Sequence, residues 1–372
     1  MPPKVISIRD TRDFNVILEE ALETLRRGEL LILPTETVYG LGALASDASA
    51  VEKLIALKER SAGHAFSLAV SGPRAIREVV PSIRGVAERL SRRCCPGPIT
   101  LVVDGSDPQS SLRSLPEAVR QATMPEGTVG IRVPDHTLVV ELLHKLDEPL
   151  VLTSANRSGK EPALSGEEAV ARFPEGVSLI LDDGPTRLRN PSTVVQADDE
   201  SYRILREGVV RSETIERLTA KIILFVCTGN SCRSPMAEVL CERLLAERLG
   251  CRIGDLESRG YVIMSAGISA MTGSPATMEA REVAGQAGCS LEKHQAQLLN
   301  EPLMQYADHI YTMTRHHREA ILSRWPSMDL RLSVLRRDGG DIADPIGGDL
   351  RVYQECARQI ETEIVERLDE MI

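Results

Sequence analysis

Apolar positions along this chain switch repeatedly between helical and strand spacing. Phe14, Ile17, Leu18, Ala21, Leu22 and Leu25 recur every three or four residues and stop at Gly28, which predicts an amphipathic helix. Residues 29–33 then read as a strand that breaks at Pro34. A second helix carries Val51, Leu54 and Ile55, with Asp47 placed to cap it. Short apolar runs predict strands over 66–70, 99–103, 128–133, 150–153, 177–181, 193–196 and 201–206. After a charged connector, residues 221–226 form the continuous apolar run of a buried parallel strand. Met236, Leu240 and Leu244 lie on one stripe of a helix running to Gly250, with Ser234 read as its N-cap and Pro235 as its first residue. A last helix lines up Leu350, Tyr353, Ala357, Ile360, Ile364 and Leu368 behind the cap Asp349. The alternation predicts two α/β domains, 1–212 and 221–372, joined by a linker over 213–220.

Composition narrows this picture. A hydrophobic share of 42% suits packed globular domains, and no run of eighteen apolar residues or signal-peptide pattern appears, so no membrane association is expected. Eight cysteines without a regular framework point to a reducing, cytoplasmic setting. A net charge of −10 argues against broad electrostatic wrapping of nucleic acid, and 3% aromatic residues leave little for base stacking.

The densest chemistry lies between the strand at 221–226 and the helix after it. Cys227-Thr228-Gly229-Asn230-Ser231-Cys232-Arg233-Ser234-Pro235 reads as a loop that aims backbone N–H groups and a helix N-terminus at one anion. Arg233 adds a planar fork for two phosphate oxygens, and the same field favours the thiolate of Cys227, its nucleophilic form. The full string resembles the signature of the low-molecular-weight protein tyrosine phosphatases. That resemblance implies a doubly wound four-stranded parallel sheet, a phosphate-binding loop of Thr228, Gly229, Asn230, Ser231, Cys232 and Ser234, and catalysis by Cys227, Arg233 and Asp344. Asp344, before Pro345, would protonate the leaving atom and then activate water against a cysteinyl-phosphate. The resemblance also pairs His294 with Asn230 and needs no cofactor. Thr228, the glycines Gly347-Gly348 and Thr312-Met313-Thr314 are similar to the protein arginine phosphatase branch, so phosphoarginine and phosphotyrosine in a phosphoprotein both stand as substrates.

The first domain's polar strings include residues 34–42, Lys58-Glu59-Arg60, residues 95–100, 130–134, Thr153-Ser154-Ala155-Asn156 and 191–195, with Arg206 near the end. In this order they resemble the Sua5/YrdC family, which makes threonylcarbamoyl-adenylate from threonine, bicarbonate and ATP, upstream of threonylcarbamoyladenosine in tRNA. The resemblance implies a twisted open sheet with helices. It also implies ATP binding by Lys58, Arg60, Thr128, Ser154, Asn156 and Arg206, with Mg²⁺ arriving on the nucleotide and no resident metal. Threonine would be held by Arg132, Thr35 and Ser192. Residues 61–66 depart from the family pattern, lacking both of its prolines there. Two readings stay open: a bifunctional enzyme, or a phosphatase whose first domain is a non-catalytic nucleotide-, threonine- or tRNA-binding regulator.

Overall fold

The computed structural model describes residues 2–9, 13–59 and 65–372, and the chain divides into two compact units, 1–218 and 219–372. Among the described residues, the strands of the first unit are β1 (Lys4–Ser7), β2 (Leu31–Leu33), β3 (Gly40–Leu44), β4 (Ser67–Ala69), β5 (Ile99–Asp104), β6 (Thr128–Arg132), β7 (Leu150–Ser154), β8 (Leu179–Asp182), β9 (Thr193–Ala197) and β10 (Tyr202–Arg206). They form one mixed sheet in the order β1-β8-β2-β3-β7-β4-β6-β5-β9-β10.

Alternation along β2 shows why helices cover both faces. Leu31 and Leu33 pack with Ile17, Leu18 and Leu142, from helices Phe14–Arg26 and Thr137–Leu146. Ile32 packs in a separate cluster with Val51 and Leu54 of helix Ala48–Lys58. That helix starts where expected: the Asp47 side chain accepts a hydrogen bond from Ala50 N at 3.0 Å.

The second unit has β11 (Lys221–Cys227), β12 (Tyr261–Gly267), β13 (His309–Thr312) and β14 (Leu332–Val334), all parallel in the order β12-β11-β13-β14. Ile223 and Phe225 of β11 face helices Arg233–Leu249, Met278–Gln286 and Leu350–Met371. Leu224 and Val226 face Met304 and Ile321, from helices Glu301–Tyr306 and Arg315–Arg324. Helices therefore sit on both faces of a parallel sheet, the doubly wound arrangement.

Several local expectations need correction. The helix after the cysteine loop begins at Arg233 with Cys232 as its cap, closed by Met236 N on Cys232 O at 3.2 Å. Ser234 lies inside the helix because its hydroxyl is used by the Cys227 sulfur instead. Residues 34–42 are a turn back into the buried strand β3, which pairs antiparallel with β2 through Leu33 and Gly40. Glycines and a polar start hid that strand. Phe14 is 38% exposed, outside the stripe it continues in sequence. Residues 212–219 form a helix, Ser212–Thr219, whose Ile215 is buried in the first unit's core.

The last helix rests on a single strong cap. Asp349 Oδ1 accepts from Arg351 N at 3.0 Å and Val352 N at 3.2 Å. Asp349→Ala is expected to cost about 1 kcal/mol, read as a lower denaturant midpoint for the second unit with an unchanged slope.

Candidate active sites

In the first unit, Thr35, Lys58, Thr128, Arg132, Ser154, Asn156, Ser192 and Arg206 all line one cavity of about 890 Å³. Eight side chains spread over some 170 residues of sequence meet because β2, β6, β7, β9 and β10 end, or turn, around the same space. Arg60 and residues 61–64 lie outside the described residues.

Arg132 closes β6 and is almost wholly buried. Its Nη2 donates to Glu36 Oε1 at 3.0 Å and to the hydroxyls of Thr35 and Thr37, while its Nε is buried without a partner among the described residues. Glu36 holds its other oxygen against Asp135 N at 3.0 Å. The Thr35 hydroxyl donates to Val38 O at 2.7 Å. Lys58, from the last turn of its helix, reaches Ser154 O at 2.6 Å and Asn156 Oδ1 at 2.8 Å. Arg206 donates to Ser192 O at 2.8 Å, and Ser192 Oγ lies 2.9 Å from Thr100 Oγ1. Burial, and then the neighbouring charge of Arg132, pull the Arg206 pKa down. Lys58, Arg132 and Arg206 give this cavity a cationic lining, which favours an anionic occupant.

In the second unit the loop after β11 wraps around the Cys227 sulfur. Asn230 N donates to Cys227 Sγ at 3.2 Å, and Ser234 Oγ lies 2.9 Å away. Asn230 is left-handed at φ 55°, a costly conformation for a non-glycine residue. Its side chain holds it there. Nδ2 donates to Ser234 Oγ at 3.0 Å and Ser265 Oγ at 2.8 Å, and Oδ1 accepts from Gln297 N at 2.8 Å. His294 Nε2 donates to the Asn230 carbonyl at 2.8 Å, so the partner is the backbone of Asn230. Arg233, with a side chain only 5% exposed, pairs with Asp344 Oδ2 at 2.5 Å and donates to Ile342 O at 3.2 Å. Arg233, from the same loop as Cys227, and Asp344, from the segment before the last helix, are thus brought together. Thr228 is exposed beside the nucleophile.

Three further polar groups support this loop. His317 Nε2 lies 2.8 Å from Thr228 Oγ1. Tyr353 Oη lies 3.4 Å from Cys232 Sγ. Ser265 Oγ donates to Glu238 Oε2. Glu36 in the first unit belongs with them as a site residue not singled out from sequence. Each acts through a partner distant in the chain, and the one local signal was Thr314, a cap residue three positions before His317.

The class defined by fold and site is a two-unit α/β chain, joining a cationic cleft to a cysteine loop built for an oxyanion. A family model of the Sua5/YciO/YrdC type, described as "Telomere recombination", matches residues 23–208, half of the chain. A second, described as low molecular weight phosphotyrosine protein phosphatase, matches residues 222–371. The threonylcarbamoyl-AMP synthase of Pyrococcus abyssi is 33% identical over 198 residues, 53% of this chain and 56% of that protein. The chain therefore spans little more than half the length of that relative. The protein-arginine-phosphatase of Geobacillus stearothermophilus is 35% identical over 154 residues, 40% of this chain and 95% of that protein. A variant of P. abyssi Sua5 of known structure is 26% identical, with a TM-score of 0.52 over 67% of this chain and 76% of that one. The chain belongs to the Sua5/YrdC family in its first part and to the low-molecular-weight phosphatase family in its second.

Glu238 offers a test of the buried support. Burial raises its pKa to about 7, from the usual 4.5. The folded state therefore keeps a proton that the unfolded chain releases first. The stabilisation is complete below pH 4.5 and is lost as pH rises through 7. Glu238→Gln, which keeps an acceptor for Ser265, is expected to match the parent near pH 4.5. At pH 8 it should exceed it by up to about 3 kcal/mol, in urea melts at both pH values.

Proposed function

We propose that the second unit is a cysteine-dependent protein phosphatase acting on phosphoarginine or phosphotyrosine. The observation that carries this is the Cys227 sulfur held by Asn230 N and Ser234 Oγ, in the loop whose Arg233 pairs with Asp344. Arg233 exchanges Asp344 for two phosphoryl oxygens of the substrate, and the loop amides hold the rest. Cys227 Sγ attacks phosphorus as the P–N or P–O bond to the substrate breaks, and Asp344 gives its proton to the leaving atom. Asp344 then takes a proton from water, which displaces phosphate from the sulfur. The arginine-phosphatase relative and the open Gly347-Gly348 wall favour phosphoarginine. Phosphate release from phosphoarginine and phosphotyrosine peptides tests this. Cys227→Ser should remove turnover entirely, and Asp344→Ala should lower kcat by a factor of about 10²–10⁴. Activity that persists in Cys227→Ser would overturn the mechanism.

We further propose that the first unit condenses threonine, bicarbonate and ATP into threonylcarbamoyl-adenylate, feeding the modification of tRNA by separate transferases. The supporting observation is the shared cavity lined by eight of the nine residues assigned to ATP and threonine. Arg132 pairs with the threonine carboxylate, while Thr35 and Ser192 face its hydroxyl and ammonium. Lys58 and Arg206 neutralise the triphosphate, and Ser154, Asn156 and Thr128 position the nucleotide. The carbamate attacks the α-phosphate and pyrophosphate leaves, so the chain's task is orientation and charge neutralisation. Among the described residues no group of three His, Cys, Asp or Glu side chains is arranged to hold a metal ion. Mg²⁺ would arrive on the nucleotide's own oxygens, where it would offset phosphate charge. No helix among the described residues is long and apolar enough to cross a membrane.

Pyrophosphate release by the full chain should require ATP, threonine and bicarbonate together. Arg132→Ala should raise the KM for threonine by at least about tenfold while leaving phosphatase turnover unchanged. Nucleotide binding without pyrophosphate release would instead make the first unit a regulator.

A further inference from the structure

His317 is 2% exposed, yet both of its ring nitrogens are engaged. Nδ1 lies 2.9 Å from Thr314 Oγ1, the same oxygen that caps helix Arg315–Arg324 by accepting from His317 N at 3.2 Å. Nε2 lies 2.8 Å from Thr228 Oγ1, at the mouth of the cysteine loop. The ring is thus clamped between a helix cap and the residue that follows the nucleophile. The Thr228 carbonyl is itself fixed by Ser269 N at 2.9 Å. Burial first, then the charges of Arg233 and His316, push the His317 pKa down to about 4, so the imidazole is neutral at physiological pH. A neutral imidazole has one donor and one acceptor nitrogen.

We propose that His317 is a positioning residue that makes the Thr228 hydroxyl a hydrogen-bond acceptor for substrate N–H, selecting a phosphorylated guanidinium over a phosphorylated phenol. The inference rests on the phosphoarginine reading of this loop. In this arrangement the ring takes the Nδ1–H tautomer and donates to Thr314 Oγ1, which also accepts from His317 N. Nε2 then accepts the hydroxyl hydrogen of Thr228. The Thr228 oxygen is left with lone pairs and no hydrogen to offer. A guanidinium bonded to phosphorus through nitrogen carries N–H groups that satisfy those lone pairs. The oxygen of an aryl phosphate ester carries none, and a ring edge there leaves the acceptor unpaired. The opposite tautomer would turn the Thr228 hydrogen outward to any phosphoester or phosphoramidate and would not discriminate.

The test uses the whole 372-residue chain with phosphoarginine and phosphotyrosine placed in one peptide sequence, reading kcat and KM separately. His317→Phe, which keeps the ring but no nitrogen, should lower kcat/KM for the phosphoarginine peptide about tenfold and leave the phosphotyrosine value within about twofold. His317→Gln, whose amide oxygen reaches the Nε2 position, should restore most of the loss. Thr228→Val should reproduce the phosphoarginine loss, and the double variant should fall no further. Thr228 is exposed, so its variant carries the test if His317→Phe unfolds. Equal losses on both substrates, or an unchanged preference in His317→Phe, would overturn the inference while leaving the phosphoarginine reading intact. Parent enzyme that turns over phosphotyrosine alone would overturn that reading and this inference with it.

Discussion

A guanidinium withdrawn from water has to be given negative charge, and both sites are organised around that demand. Arg132 and Arg233 have side chains 9% and 5% exposed, and an unpaired ion at such depth costs several kcal/mol. The two units meet the demand differently. Glu36 is 1% exposed and its second oxygen is tied to the backbone of Asp135, so the partner of Arg132 is a fixed part of the wall. Asp344 is 44% exposed on a loop, so the partner of Arg233 is free to be displaced. In the cleft, a ligand adds to a charge pair that stays. At the cysteine loop, an anion can take the place of one member of the pair, because that member is exposed.

Around Arg233 the backbone is as constrained as the charge. The cysteine loop passes so close to the end of β12 that a Cβ on Gly267 would sit 2.5 Å from Thr228 O and 2.9 Å from Asn230 N. Only glycine fits there. Ser265, two positions earlier on the same strand, carries the Asn230 side chain on one side and Glu238 on the other. One strand end thus supplies both the space and the hydrogen bonds that keep Asn230 left-handed. The Glu238 carboxyl, buried at the far end of this chain of hydrogen bonds, is part of the same loop's foundation.

What was legible in the sequence divides along the same line. Long periodic segments were plain: the helices at 14–26 and 48–58, the strand at 221–227 and the capped terminal helix. The polar residues read as a phosphate loop and as a cleft lining do meet in the fold, around one sulfur and around one cavity. The strand β3 was hidden because Gly40 and Gly42 supply no side chains to show a period, although its neighbours bury every position. The helix start at Arg233 was misplaced because Ser234 reads locally as a cap, while its hydroxyl serves a sulfur seven residues earlier. Glu36 and His317 were invisible for a related reason. Each matters through a partner that only the fold brings near, Arg132 at 96 positions and Thr228 at 89 positions away.

The spread of the cleft residues also bears on the order in which the first unit acquires its shape. Its wall draws on β2 near the start and on β9 and β10 near the end, with β9 docking parallel to β5 across a separation of more than ninety residues. Closing such contacts costs chain entropy before any burial offsets it, so they belong to the slow, late part of folding. A nascent or partly unfolded first unit therefore has helices and a partial sheet well before it has a complete cleft. A ligand that binds only the finished cleft would draw the folding equilibrium forward by mass action.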